Sequence, residues 1–186
     1  MKFFLSLLLS LCMSGGALAA KSYNDPRMDF DRFMINEMGG DADAKHYLGL
    51  LYLKGEVLPK DDKRALYWIQ KAAEQGESKA QFNLAMMHAN GKGTPRNDKQ
   101  ALYWYTKAAK QGYGSAQTNL GIMYALGKTA DPNLIYAYMW LSLGEASGGS
   151  NAQALDVLKN KMSPSNIQEA QALASTCFIS SYQDCP

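Results

Sequence analysis

The feature that most constrains this chain of 186 residues is a segment that occurs twice. "ALYWIQKAAEQG" begins at Ala65 and "ALYWYTKAAKQG" begins at Ala101, and nine of the twelve letters are identical. Repetition at a period of tens of residues is typical of solenoids, so the repeated unit decides which folds are possible. A shift of 36 residues aligns three copies, which share the positions Ala65/Ala101/Ala137, Trp68/Trp104/Trp140 and Gly55/Gly91/Gly127.

Each copy has the pattern of two helices joined by a short loop. Ala44, Leu48 and Tyr52 are spaced four residues apart and share one helix face. Gly55 follows them, where a left-handed glycine commonly ends a helix. Good helix N-cap residues precede each second helix: Asp61, Asn97 and Asn133. A single hairpin cannot bury its apolar face, so the sequence predicts an all-α, right-handed α/α superhelix of about four stacked hairpins.

The repeat register divides the chain into segments, with atypical units expected at both ends of the solenoid. The expected order is a signal peptide (1–19), a linker (20–28), a capping helix (29–43), three repeats (44–79, 80–115 and 116–151), a degenerate capping hairpin (152–176) and a disulfide-closed tail (177–186).

The first residues have the pattern of a secretory signal. Lys2 provides a positive start, an apolar run covers 3–13, and the small-x-small sequence at 17–19 predicts cleavage after Ala19. The alternatives are a membrane anchor, for which the run is short, and lipidation at Cys12, which follows a large residue. We therefore expect a periplasmic or secreted protein with no integral membrane segment in its mature chain.

Charge and cysteine count narrow the function classes further. The formal charge of +2 falls to +1 when Lys2 is removed, so no strong field attracts nucleic acid. Cys177 and Cys185 remain after cleavage, and an even count outside the cytoplasm favours a bridge between them. Eight residues of unbroken helix would separate them by about 12 Å, so a bridge requires the last helix to end soon after Cys177.

The chain shows no persuasive catalytic, cofactor or metal motif. His88 occupies the slot of Tyr52 and Tyr124, which favours a packed histidine over a catalytic one. The only other histidine, His46, has no metal-ligand pattern around it. We expect no catalytic residue, no cofactor and no metal.

The pattern A-x3-LG-x2-Y-x2-G, an acid or amide cap, then A-x2-W-x2-KAA-x2-G resembles the Sel-one-like repeat family. Repeats one and two match closely, whereas repeat three has Leu143-Gly144-Glu145 in place of Lys-Ala-Ala. The resemblance implies a relative of the tetratricopeptide solenoids whose first helices line a concave face. By register, the candidate partner-binding residues on that face are His46, Leu50, Leu53, Phe82, Met86, Asn90, Thr118, Ile122 and Leu126.

Packing is the competing interpretation of part of this face. Leu50, Met86 and Ile122 could pack against the next helix, so Phe82 and Leu53 are the better candidates for exposure. The resemblance implies a non-catalytic scaffold or adaptor of the bacterial envelope that binds a protein partner. Two alternatives stay open: penicillin binding or weak β-lactam hydrolysis, as in cysteine-rich relatives, and binding of peptidoglycan or polysaccharide.

Overall fold

The computed structural model describes residues 31–32, 34–36, 39–128, 131–149 and 151–186. The predicted signal peptide and linker lie outside these residues. The chain divides into two units, Met1–Gly40 and Asp41–Pro186. In the first unit, the described residues 31–32 and 34–36 are helical.

The second unit consists of helix hairpins. Helix α1 pairs with α2, α3 with α4, and α5 with α6, while contacts between α2 and α3 and between α4 and α5 stack the pairs. The first helices of the pairs begin at residues 42, 78 and 114, which confirms the predicted period of 36. The helices are α1 (Ala42–Lys54), α2 (Asp62–Glu74), α3 (Ser78–Asn90), α4 (Asp98–Ala109), α5 (Gly114–Ala125), α6 (Leu134–Ala146), α7 (Ala152–Lys159) and α8 (Pro164–Ile179).

The predicted helix caps are confirmed. Gly55 ends α1 at φ 70° and Gly91 ends α3 at φ 66°, both in the left-handed region. The side chain of Asp61 accepts hydrogen bonds from the first-turn N–H groups of α2, and Asn97 and Asn133 do the same for α4 and α6. Local sequence therefore sets where each hairpin turns.

Small residues bring the paired helices into close contact. A Cβ atom added at Gly121 would lie 2.9 Å from the carbonyl oxygen of Ala137 and 2.8 Å from Leu141 Cγ. Gly49 is equally confined, with the Ala65 oxygen 3.2 Å from its would-be Cβ atom. Glycine is required at Gly121 because backbone atoms, which cannot rotate away, occupy the space. The corresponding position of repeat two is Ala85, so the slot accepts one methyl group in that repeat.

Two glutamines, which the sequence analysis did not single out, connect successive repeats. Gln81 Nε2 donates to the carbonyl oxygen of Ala73 at 3.2 Å, and Gln117 Nε2 donates to that of Ala109 at 3.1 Å. Both side chains are buried, and each contact joins a first helix to the second helix of the preceding repeat. A buried amide that satisfies a helix-terminal carbonyl fixes the stacking register of the hairpins.

The C-terminal helices cover the last repeat. Both α7 and α8 pack against α6, and Leu155, Leu158 and Ala170 join Tyr138 and Leu141 in one apolar cluster. This explains why α6 is apolar nearly all round: its outer face is buried here, whereas in the earlier repeats the corresponding face is open.

The tail after α8 turns back onto the solenoid. Ser181 and Tyr182 have positive φ values of 51° and 66°, and Cys177 and Cys185 lie at disulfide distance with Cα atoms 4.8 Å apart. Lys110 Nζ donates to the carbonyl oxygen of Cys185 at 2.8 Å. The helix thus ends two residues after Cys177, as predicted, and the tail reaches the end of α4 as well as the last hairpin.

Candidate binding groove between repeats two and three

The first position of the predicted concave face is an inter-repeat contact in all three copies. The residues there are His46, Phe82 and Thr118, and each contacts the chain about one repeat further on. The three contacts differ in chemistry, so the junctions between repeats differ although the backbone repeats.

The first junction is polar. His46 is buried, and its Nδ1 lies 3.1 Å from Glu77 Oε2 while its Nε2 lies 2.7 Å from Asn83 Nδ2. Both contacts are satisfied when Nδ1–H donates to the carboxylate and Nε2 accepts from the amide, which is a neutral imidazole. Burial lowers the pKa of His46, against the opposing effect of Glu77. The same carboxylate accepts from the backbone N–H groups of Lys79 and Ala80 and so caps α3.

The second junction is aromatic. The ring of Phe82 meets the ring of Tyr113 edge to face with centroids 5.2 Å apart, and it lies 5.8 Å from the ring of Tyr105. Phe82 occupies the place of His46, so Asn119, the counterpart of Asn83, has no histidine to pair with. Within the described residues, no hydrogen bond reaches the Asn119 side chain.

The third junction is small and polar. Asn151 Nδ2 donates to Thr118 Oγ1 at 3.1 Å and to the carbonyl oxygen of Leu141 at 2.7 Å. Gly149 lies so close to Thr118 that a Cβ atom would be 2.6 Å from Oγ1. Thr118 is therefore engaged inside the protein.

A groove with a volume of about 360 Å³ runs between α3 and α5. Its apolar lining comes from these two helices and the residue that ends α5, and consists of Met86, Ala89, Ile122, Met123 and Leu126. Its polar lining consists of Asn90, Arg96, Asp98, Tyr105, Asn119 and Lys128. Four of the predicted partner-binding residues thus meet at one place: Met86, Asn90, Ile122 and Leu126.

Exposure along this face reverses the expected order. Met86 and Ile122 are 38% and 39% exposed, and Leu126 is 61% exposed. Phe82 and Leu53 were expected to be more accessible than Met86 and Ile122. Both are half-buried, as Leu50 is. The reason for Phe82 is its packing on Tyr105 and Tyr113, a contact that depends on the following repeat and cannot be read from one helix.

Charge around the groove is slightly positive. Arg96 and Asp98 pair with each other through two hydrogen bonds of 2.9 and 2.8 Å. Lys128 has no ion-pair partner among the residues that the structure describes. One uncompensated positive charge therefore remains at the groove, between exposed apolar side chains.

Tyr105 is a groove residue that was not predicted from the sequence. Its counterparts are Ile69 and Leu141, so the slot is aliphatic in repeats one and three and carries a hydroxyl only in repeat two. Tyr105 is 5% exposed and lines the groove, and burial raises its pKa to about 12. The sequence did contain a signal for this residue, namely a hydroxyl-bearing side chain at a position that is aliphatic in the other two repeats.

Metal clusters and membrane-spanning helices are both absent from the described residues. No group of three or more His, Cys, Asp or Glu side chains there is arranged to hold a metal ion. In the same part of the chain, no helix combines the length and apolar character needed to cross a membrane.

Comparison with known structures agrees with this architecture. A protective antigen present in uropathogenic Escherichia coli strains and displaying an SLR fold, c5321, superposes with a TM-score of 0.66 and 28% sequence identity, over 96% of this chain. The present chain spans only 38% of the length of that antigen. A Sel1 repeat protein from Oxalobacter formigenes gives a TM-score of 0.65 and 26% identity over 86% of this chain and 73% of its own. These likenesses confirm the predicted α/α solenoid.

Comparison with sequence families gives the same result. No curated protein sequence matches the chain significantly. The model of the Sel1 repeat matches three times, at residues 42–77, 78–113 and 114–148. These matches cover more than half of the chain and begin where α1, α3 and α5 begin. Sel1 repeat proteins generally mediate protein–protein interactions and are typically non-catalytic scaffolds. The three matches, together with the stacked hairpins, show that this chain belongs to the Sel1 repeat family.

Proposed function

We propose that this protein is a non-catalytic adaptor of the bacterial cell envelope and binds a protein partner in the groove between α3 and α5. The observation that carries the proposal is the exposure of Met86, Ile122 and Leu126 side by side in that groove. Contiguous exposed apolar side chains rimmed by polar groups are typical of interaction sites. The Sel1 repeat family supports a protein as the partner.

Placement outside the cytoplasm is supported by the signal-like leader and by the cysteine pair. Disulfides persist in oxidising compartments and are rare in the cytosol. The intact mass of the protein purified from the envelope, alkylated with and without reductant, tests both points. We expect a mass that begins after Ala19 and no alkylation until reductant is added. A full-length product with two alkylated cysteines would contradict this placement.

The groove is tested by crosslinked pull-down of the tagged, processed protein from its own envelope. We expect Met86→Ala with Ile122→Ala to weaken partner recovery by roughly tenfold, in the range of interface hot spots. The matched control is Tyr47→Ala with Val157→Ala, which removes apolar side chains that are each 54% exposed and do not line the groove. Equal partner recovery for the groove variant and the control variant would refute the groove as the binding site.

Three further measurements check the fold of the variants and separate the alternative functions. Thermal melting of both variants checks that the fold survives, so that a loss of recovery reports on binding. Incubation with a fluorescent penicillin tests catalysis, and covalent labelling would contradict the non-catalytic assignment. Retention on immobilised peptidoglycan by the Met86→Ala, Ile122→Ala variant would indicate a second surface.

A further inference from the structure

The groove is lined by a buried tyrosine whose hydroxyl has no partner among the described residues. Tyr105 is 95% buried and faces the groove, yet no described residue forms a hydrogen bond with its hydroxyl. The hydroxyl itself is not among the fully enclosed polar atoms that lack a partner, so it can be reached from the groove. The hydroxyl stays protonated at physiological pH, because burial raises the pKa of Tyr105 to about 12. It is available to donate and to accept.

A second free polar group lies in the same groove. The Asn119 amide has no histidine to pair with, because Phe82 stands in the place of His46. It offers two N–H donors and one oxygen acceptor. In the first junction the equivalent amide of Asn83 is bound to His46. The second junction therefore presents two hydrogen-bonding side chains without protein partners beside exposed apolar side chains.

We propose that the groove binds an extended acidic segment of a protein partner and recognises its main chain through hydrogen bonds with Tyr105 and Asn119. An aliphatic side chain of that segment inserts among Met86, Ile122 and Leu126. A main-chain N–H or C=O group pairs with the hydroxyl, and another pairs with the Asn119 amide. This inference rests on the proposed function and specifies the partner's chemistry.

Charge and size select this occupant. Arg96, Asp98 and Lys128 together carry one net positive charge at the groove, and Lys128 as well as Arg96 acts on the Asp98 carboxylate. This net charge complements an acidic side chain. A volume of about 360 Å³ accommodates one anchoring side chain with its flanking main chain. Main-chain hydrogen bonds combined with a side-chain pocket are a common mode of recognising extended peptides.

The test begins with a random nine-residue peptide library displayed on phage and selected on the processed protein. We expect enriched sequences to share an aliphatic residue with Asp or Glu a few positions away. A synthetic peptide of the enriched sequence is then titrated by fluorescence anisotropy. Tyr105→Phe and Asn119→Ala should each weaken its binding about fivefold, as the loss of one neutral hydrogen bond predicts. Lys128→Gln should weaken binding and reduce its salt dependence.

The matched control is Tyr138→Phe, which removes a hydroxyl from a buried tyrosine in the apolar cluster beneath α7 and α8. We expect this variant to bind the peptide as the wild type does. The melting temperature of free Tyr105→Phe should equal or exceed that of the wild type, because no hydrogen bond is lost when the hydroxyl is removed. A reduced melting temperature would indicate that the hydroxyl stabilises the fold, and it would overturn the inference.

The remaining outcomes distinguish this inference from the function it rests on. If Met86→Ala with Ile122→Ala lowers partner recovery while Tyr105→Phe and Asn119→Ala bind normally, the adaptor function stands and the main-chain reading is wrong. If no peptide is enriched, or if enriched peptides are basic, the extended acidic segment is likewise excluded. If the groove variant recovers partners normally, both proposals fall.

Discussion

The first and second junctions of the solenoid share the same backbone register but differ in the side chains that fill them. At the first, His46, Glu77 and Asn83 satisfy one another and close the junction. At the second, Phe82 packs on Tyr113 and leaves Asn119 without a partner. One histidine-to-phenylalanine difference between repeats thus changes a self-contained polar contact into an aromatic contact beside a groove with free polar groups.

This comparison shows how a repeat protein can specialise one position while its architecture is maintained. The hairpin contacts and the N-caps of the second helices recur at the 36-residue period, so they fix where each junction lies. The residues that fill the junction contribute little to the choice of fold, and they are therefore free to differ. Function in such a protein is expected where the repeats disagree, since the shared residues are explained by packing.

The largest expected effect comes from Gly121→Leu, which breaks the hairpin that supports the second junction. The added side chain would meet the backbone of α6, with a Cβ-to-oxygen distance of 2.9 Å at Ala137. We expect the free energy of unfolding to fall by about 3 kcal/mol or more, at the upper end of overpacking. Urea denaturation measures this loss.

The control for that variant is Ser115→Leu, on an exposed position of the same helix. We expect it to change stability by less than about 0.5 kcal/mol, as surface substitutions usually do. Similar stability of the Gly121→Leu protein and the wild type would mean that α5 and α6 are not packed in this register.

The second-largest loss of stability is expected when the aromatic contact between Phe82 and Tyr113 is removed. Phe82→Ala should destabilise the protein by about 2 kcal/mol, less than a fully buried phenylalanine because the ring is half-buried. A double-mutant cycle with Tyr113→Ala should give a coupling of about 1 kcal/mol. Tyr47→Ala serves as the exposed control. Additive effects of the two junction substitutions would show that the rings do not stabilise each other.

The third prediction compares equivalent asparagines. Asn83→Ala removes the partner of a buried imidazole and should cost about 1 kcal/mol. Asn119→Ala removes an unpaired amide and should change stability by less than about 0.5 kcal/mol. Thermal and urea unfolding of the two variants, made in the same background, measure the difference. Equal losses would contradict the distinction between a closed first junction and an open second one.

The smallest effect is the pH dependence of the first junction. Burial, followed by Glu77 in the opposite direction, sets the pKa of His46; Lys79 adds to the lowering and Asp43 opposes it. Because the net shift is downward, the unfolded chain binds this proton more tightly than the folded chain. The contribution of His46 is therefore fully present above its unfolded pKa of about 6.5, and it is lost as the pH falls through that value toward the lower folded pKa.

Urea unfolding between about pH 8 and pH 5 tests this sign, since this range brackets the ordinary histidine pKa. His46→Phe, which installs the residue of the second junction, should flatten the pH dependence. Burial also lowers the pKa of His88, so His88→Tyr is the control. This variant should retain the part of the pH dependence that is due to His46. If the free energy of unfolding depends on pH in His46→Phe as it does in the wild type, the effect cannot be assigned to His46.

The helical hairpins were predictable because their signals are local. A left-handed glycine such as Gly55 and an N-cap such as Asp61 act through backbone geometry within one turn, and apolar spacing acts within one helix. The cysteine pair was predictable from the even cysteine count, and the end of α8 followed from it, because an unbroken helix would hold Cys177 and Cys185 too far apart for a bridge. The registers of Met86 and Ile122 on the helix face were likewise available from the period.

The functional detail was less predictable. The exposure of Phe82 was misjudged because its burial depends on rings supplied by α4 and by the following loop. Tyr105 was overlooked because a tyrosine in an apolar slot suggests core packing until its hydroxyl is seen to face a groove. Arg96 and Lys128 were missed because they lie outside the first helices, on loops that the fold brings to the groove.

The sequence by itself determined the period, the hairpin unit, its caps and the close helix contacts, because each of these depends on residues near one another in the chain. Only the tertiary structure decided which junction is closed and which is open. That outcome depends on side chains about 30 residues apart, such as His46 with Glu77 and Phe82 with Tyr113, whose contact exists only after the hairpins have stacked. Stacking sets the distances between those groups, and those distances determine whether a polar atom is satisfied internally or left for a partner.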